Sequence, residues 1–157
     1  MQRIERSTVR FGAHLLVALA ILVGPGTLAH GSLFVSSDFF NVVGEYDPVS
    51  GNHLSAFAPS VNANGQLAVK LNAAGDRMLV GSFDGGVDEF DAVTGTYIKT
   101  YNGGVGVGTQ WAGLYAPTGG VYIGNWTTND IREYDAVTGA FIRVVTAVDG
   151  PADMRIG

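Results

Sequence analysis

The chain has 157 residues, enough for one domain of ordinary size or a piece of a larger one. Glycine contributes 23 residues, charged side chains 15% and apolar ones 46%, a composition too apolar for disorder, too rich in glycine for a helical bundle and lacking the triplet of a collagen. A net charge of −5 argues against a nucleic-acid partner, and the absence of Cys removes disulfides, thiolate metal sites and thiol nucleophiles.

Arg3, Arg6 and Arg10 precede an unbroken apolar run from Leu15 to Val23, after which Gly24, Pro25 and Gly26 break a helix ahead of Thr27-Leu28-Ala29. This is the pattern of a secretory signal peptide over residues 1–29, with cleavage expected near Ala29 or Gly31. The run falls well short of the roughly 20 residues that span a bilayer, so the chain is expected to be exported and released to the periplasm or exterior, with no membrane span. Removal of the segment takes away three Arg and one Glu, leaving 6 basic and 13 acidic side chains and an acidic mature protein.

Three segments beyond it fall into register at a spacing of 44 residues: EYDPVSGNHLSAF from Glu45, EFDAVTGTYIKTY from Glu89 and EYDAVTGAFIRVV from Glu133. Each is preceded by a shared apolar piece, SLFVSS (32–37), RMLVGS (77–82) and GVYIGN (120–125), and the second and third also by LAVKLNAAGD (67–76) and AGLYAPTGG (112–120). The second unit then reads as four short strands, 66–72, 77–82, 86–91 and 97–102, separated by turn signals. An all-β fold of four-stranded antiparallel blades, a β-propeller, is expected, with a partial first blade at 32–58, further blades at 66–102 and 110–146, and the start of a fourth at 151–157. Residues 30–157 form the propeller segment. Val87 and Phe90, or Ile131 and Tyr134, are apolar on opposite faces of one strand, as blades covered on both sides require.

The turn after the third strand of each unit is readable chemically. Asp47, Asp91 and Asp135 can accept from backbone N–H groups two residues on, and Gly51, Gly95 and Gly139 can take the left-handed conformation the loop needs. With residues 92–96 as the loop, Asp91 faces Tyr97, Phe90 faces Ile98 and Glu89 faces Lys99, and the same register sets Glu133 against Arg143, with Ser55 in the cation's place in the first unit.

VDEFDAVTGTYI and IREYDAVTGAFI, preceded by NAAGDRMLVGS and APTGGVYIGN, resemble blades of the NHL and YVTN type found in exported bacterial β-propeller proteins, over residues 32–157. The resemblance implies the fold, while the functions of that group range over binding modules, cell-surface proteins, lactonases and lyases. Quinoprotein blades, which are similar too, carry a Trp eight residues after the turn Asp, where Ser55, Lys99 and Arg143 stand here, so no quinone is expected. Twelve strands at most fall short of a ring, since propellers close with roughly four to eight blades. The chain is therefore read as a fragment of a longer protein or as a half-ring that pairs into a homodimer.

The loops on one rim, NAAGD, APTGG and DAVTG, are near copies, whereas those on the other rim diverge, and a site is expected on the divergent rim. Trp111 and Trp126, with Phe39, could stack on a sugar or peptide, and Asp38, Asp84 and Asn125, which start corresponding loops, could offer oxygen ligands to Ca²⁺. No other cofactor is expected. Both sets have a plainer alternative in blade packing and turn capping, and His53 falls where Tyr97 and Phe141 stand in the other units, on a hairpin surface. The preferred reading is an exported non-catalytic module that binds a protein or carbohydrate or associates with a surface. The alternative is a metal-dependent hydrolase or lyase, lactonase-like, whose site further blades complete.

Overall fold

The computed structural model of the protein describes residues 31–37, 40–59, 65–83, 85–102 and 110–157, and the signal-like segment 1–29 lies outside them. Regular structure among these residues is entirely β. The first three strands, β1 (Leu33–Ser37), β2 (Val42–Tyr46) and β3 (His53–Pro59), form one antiparallel meander. A four-stranded blade follows, built from β4 (Gln66–Leu71), β5 (Arg77–Ser82), β6 (Val87–Asp91) and β7 (Tyr97–Tyr101). The third blade repeats it with β8 (Gln110–Tyr115), β9 (Gly120–Asn125), β10 (Asp130–Asp135) and β11 (Phe141–Ala147). A single backbone pair, Ser82 with Gln110, stitches the second and third blades along their inner ends.

The strand that β4 and β8 supply has no counterpart in the first blade among the described residues, because β1 is the copy of β5 and β9. Pro151–Gly157, expected to open a fourth blade, forms no strand. A strand needs a neighbour for its backbone hydrogen bonds, and this stretch is held instead by side chains: Pro151 is buried against Gly124, and Asp153 pairs with Lys70 of β4 at 2.8 Å.

The hairpin register corrects one expectation. Glu89 pairs with Lys99, but Phe90 pairs with Tyr97 rather than Ile98, and Ile98 is the extra residue of a β-bulge. The turn explains the difference: the Asp91 N–H donates to Thr96 O and the Gly95 N–H to Asp91 O, so the loop is one residue shorter than expected and the bulge restores the count. The same shift recurs at Leu54, between the pairs Tyr46–His53 and Glu45–Ser55, and at Ile142, between Tyr134–Phe141 and Glu133–Arg143.

Alternation along each strand divides the core into two layers. Met78, Val80, Phe90 and Ala92 face the first blade and pack with Val43, Phe34 and Phe57. Leu79, Val87 and Tyr101 point the other way, onto Val121, Ile123 and Tyr134 of the third blade. Val87 and Phe90 are thus buried on opposite faces of β6, each fully, in the way a blade sandwiched between two others demands. Tyr101 and Tyr134 meet edge-on across the second layer with centroids 6.0 Å apart. Full burial of each large apolar side chain contributes on the order of 1.5 to 3 kcal/mol.

Candidate functional site

On the rim whose loops are near copies of one another the repeated aspartates cap their own turns. Asp47 accepts from the N–H groups of Val49 and Ser50 at 2.9 and 2.7 Å, Asp91 from Val93 and Thr94 at 3.0 and 2.8 Å, and Asp135 from Val137 and Thr138 at 2.9 and 2.7 Å. The bond from the Thr94 N–H holds the Asp91 carboxyl below its ordinary pKa, and that from Thr138 does the same for Asp135. All three carboxylates are spent on the scaffold as bond acceptors.

The repeated glutamates lie inside the blades. Glu89 is buried and accepts from the hydroxyls of Tyr101 at 2.9 Å and Tyr115 at 3.0 Å, with Lys99 at 3.5 Å. Lys99 also donates to the carbonyls of Ala136 and Val137 in the third blade, so one carboxylate ties two blades together. Burial first, then the Glu89 charge, pushes the hydroxyls of Tyr101 and Tyr115 far above the usual phenol range, and both stay protonated as donors. Glu45 accepts from Ser55 Oγ at 3.0 Å and from Ser32 Oγ, while Glu133 accepts from Arg143 Nε at 2.7 Å. Sequence reasoning paired Glu89 with Lys99 but missed the two tyrosines and the bridge to the next blade.

The divergent rim carries a repeated device that its loop sequences conceal. Asn41 and Asn129, two repeat lengths apart, both take positive φ, 51° and 52°. Each offers Oδ1 to a glycine after the blade's outer strand: Gly65 N–H donates to Asn41 at 2.6 Å and Gly150 N–H to Asn129 at 3.1 Å. An aromatic ring closes over each glycine, leaving no room for a side chain. A Cβ on Gly65 would stand 2.5 Å from Phe83, and one on Gly150 would stand 2.8 Å from Trp126. The signal for this clamp was the recurrence of Asn at the same repeat position.

Of the residues expected to form a site, Asp38, Asp84 and Phe39 lie outside the described residues. Trp111 is the second residue of β8, within the strand and at its register shift, and its side chain lies outside the described set. Trp126 follows β9 and is 44% exposed, seated on Gly150 with the rest of its ring toward solvent. Asn125 is fully buried, and its Oδ1 accepts from the N–H groups of Thr127 and Thr128 at 3.1 and 3.2 Å, which caps the β9–β10 turn. Beneath that turn, Arg132 Nε donates to Asp130 at 3.0 Å and its Nη2 to Thr128 Oγ1 at 3.1 Å. Among the described residues no three His, Cys, Asp or Glu side chains gather as a metal centre. Gln66 and Gln110, which open the inner strands β4 and β8, are both buried; Gln110 Nε2 and Oε1 and Gln66 Oε1 have no hydrogen-bond partner among the described residues. A cleft of about 420 Å³ lies apart from these residues, between β1, β4 and the Ala152–Asp153 segment.

No family model matches the chain, and no curated protein matches it in sequence. Solved structures do. The WD40 β-propeller domain of Doa1 superposes with a TM-score of 0.62 at 15% identity over 76% of this chain and 38% of that one. Kuenenia stuttgartiensis hydrazine synthase gives 0.63 at 20% identity over 78% of this chain and 34% of that one. The computationally designed Ika4 protein gives 0.62 at 15% identity over 80% and 74%. The fold is a β-propeller fold. The chain spans well under half the length of the Doa1 and hydrazine synthase chains it matches, and at these identities the likeness concerns architecture alone. Among the described residues no helix is long and apolar enough to cross a membrane.

Proposed function

We propose that the chain is an exported, non-catalytic propeller module of the NHL and YVTN type that binds a protein or carbohydrate through its divergent rim. One observation carries this reading: the acids that recur in every blade are engaged by the scaffold, the aspartates capping turns and the glutamates bonded inside the blades. The residues that vary between blades therefore carry whatever is specific to this protein, and Trp126, an aromatic ring half open to solvent at the rim, suits stacking on a sugar or peptide face. The Arg-flanked apolar segment before residue 30 supports export.

The competing reading is a metal-dependent hydrolase or lyase using Asp38, Asp84 and Asn125. Thermal unfolding with and without millimolar CaCl₂ separates the two, because a cation that binds only the folded state raises its stability. A binding module leaves the midpoint unchanged, and quenching of Trp fluorescence by oligosaccharides or peptides, lost in Trp126→Ala, then reports its ligand. A rise of several degrees with Ca²⁺, abolished by Asp38→Ala or Asp84→Ala, overturns the non-catalytic reading in favour of the metal site.

A further inference from the structure

The recurring Asp and Glu are consumed by the scaffold, whereas a recurring Gln is not. Gln66 and Gln110 stand one repeat length apart, at the first position of the inner strands β4 and β8 and at the divergent-rim end of both. Both pair in register with Ser82, which sets each backbone about 5 Å from it and brings the two amides to one place at the junction of the second and third blades. Gln110 has no exposure and Gln66 only 3%. Gln66 Nε2 reaches Asn41 O at 3.5 Å, but Gln66 Oε1 and both polar atoms of the Gln110 amide are unpartnered among the described residues. These atoms are already closed to solvent, so residues added at either end of the chain would not meet them.

The local backbone is shaped at these two positions. The residue after each Gln, Leu67 or Trp111, is the extra residue of a β-bulge: Gln66 pairs with Ser82 and Ala68 with Gly81, Gln110 with Asn125 and Ala112 with Gly124. A bulge re-aims a side chain out of the regular alternation, and here it recurs at the same step of both blades. An amide left unmet in the interior lowers the stability of the free fold, and such violations concentrate at functional sites. Two carbonyl oxygens and one NH₂ group wait to be met. A cation satisfies only the oxygens, an anion only the NH₂, and a peptide group brings one N–H for two oxygens. Adjacent hydroxyls, each donor and acceptor at once, satisfy all three atoms. The next residues along the paired strands, Phe83 after Ser82 and Trp126 after Asn125, hold rings 37% and 44% exposed, apolar faces suited to cover a sugar ring.

We propose that Gln66 and Gln110 bind neighbouring hydroxyls of a neutral saccharide, which enters between Phe83 and Trp126. This rests on the reading of the divergent rim as a binding face and narrows its ligand to an uncharged sugar. The hydroxyls donate to Gln66 Oε1 and Gln110 Oε1 and accept from Gln110 Nε2, so the amides select the sugar while the two rings supply apolar contact area.

The test is isothermal titration of the chain with neutral hexasaccharides of glucose, mannose and N-acetylglucosamine. At least one is expected to bind. Gln110→Leu should then weaken it roughly 100-fold and Gln66→Leu roughly 10-fold, for two neutral hydrogen bonds lost and one, while the urea midpoint falls in neither variant. Affinity lost without stability lost is a result that a merely structural glutamine does not give. Binding to none of the three sugars overturns the proposal; peptide quenching of Trp126 fluorescence, if it persists, leaves the rim itself as a binding face. A saccharide held equally well by both Leu variants but lost in Trp126→Ala also overturns it, since the rim then binds without the amides. So does a fall in the urea midpoint of both Leu variants with affinity unchanged, which assigns the amides to the fold.

Discussion

Glu89 and Glu133 occupy the same position of the repeat, and replacing each with Ala should have unequal consequences. Removing the Glu89 carboxylate takes away an acceptor of the buried Tyr101 hydroxyl at 2.9 Å and of the half-buried Tyr115 hydroxyl at 3.0 Å, and the counter-charge of Lys99 at 3.5 Å. A hydrogen bond to a charged group contributes about 1.5 to 3 kcal/mol; the Tyr101 hydroxyl keeps Ala136 O at 3.3 Å, while the Tyr115 hydroxyl loses this acceptor. Lys99 keeps its two carbonyls in the third blade, which limits the loss. The expected cost of Glu89→Ala is about 3 to 5 kcal/mol, the range for breaking a buried charged pair. Among the described residues Glu133 bonds to Arg143 alone, whose guanidinium is largely in water, so Glu133→Ala should cost about 1 kcal/mol or less. Urea unfolding followed by far-UV circular dichroism measures both. Equal costs, or a Glu89→Ala cost below about 1 kcal/mol, would refute the view that one carboxylate ties two blades together.

Three further substitutions probe positions where the surroundings decide the outcome. Gly51 and Gly95 share a repeat position and a φ of 71°, but a Cβ at 95 would fall 2.3 Å from the Phe57 carbonyl oxygen, while one at 51 meets nothing. Gly51→Ala should cost only the left-handed strain of about 1 kcal/mol, Gly95→Ala at least twice that, and thermal midpoints that move equally would contradict the first-to-second blade contact. Gln110→Leu should raise the urea midpoint, because the buried amide has no partner among the described residues and an unmet group costs about 1 to 3 kcal/mol; a fall would mean that the amide is hydrogen-bonded in solution.

The repeat, the strands and the turn chemistry were legible in the sequence because they are local. Asp91, Thr94 and Gly95 are near neighbours in the chain, and their bonds form whatever surrounds them. The alternation that sends Val87 and Phe90 to opposite faces is equally local, and so a blade could be read before its neighbours were placed. The bulge at Ile98 was not legible, since it depends on whether the loop closes at residue 96 or 97. Nor was the clamp of Asn41 on Gly65, which joins residues 24 apart through a side chain held at positive φ. The candidate site fared similarly: the rim could be chosen from loop divergence, but only packing set Asn125 to capping its own turn and left Trp126 half open. Identical letters in the repeat diverge most where blades meet. Glu89 and Glu133, or Gly51 and Gly95, carry one sequence signature, and tertiary structure alone decides what each of them costs, because desolvation and steric contact are set by the neighbouring blade.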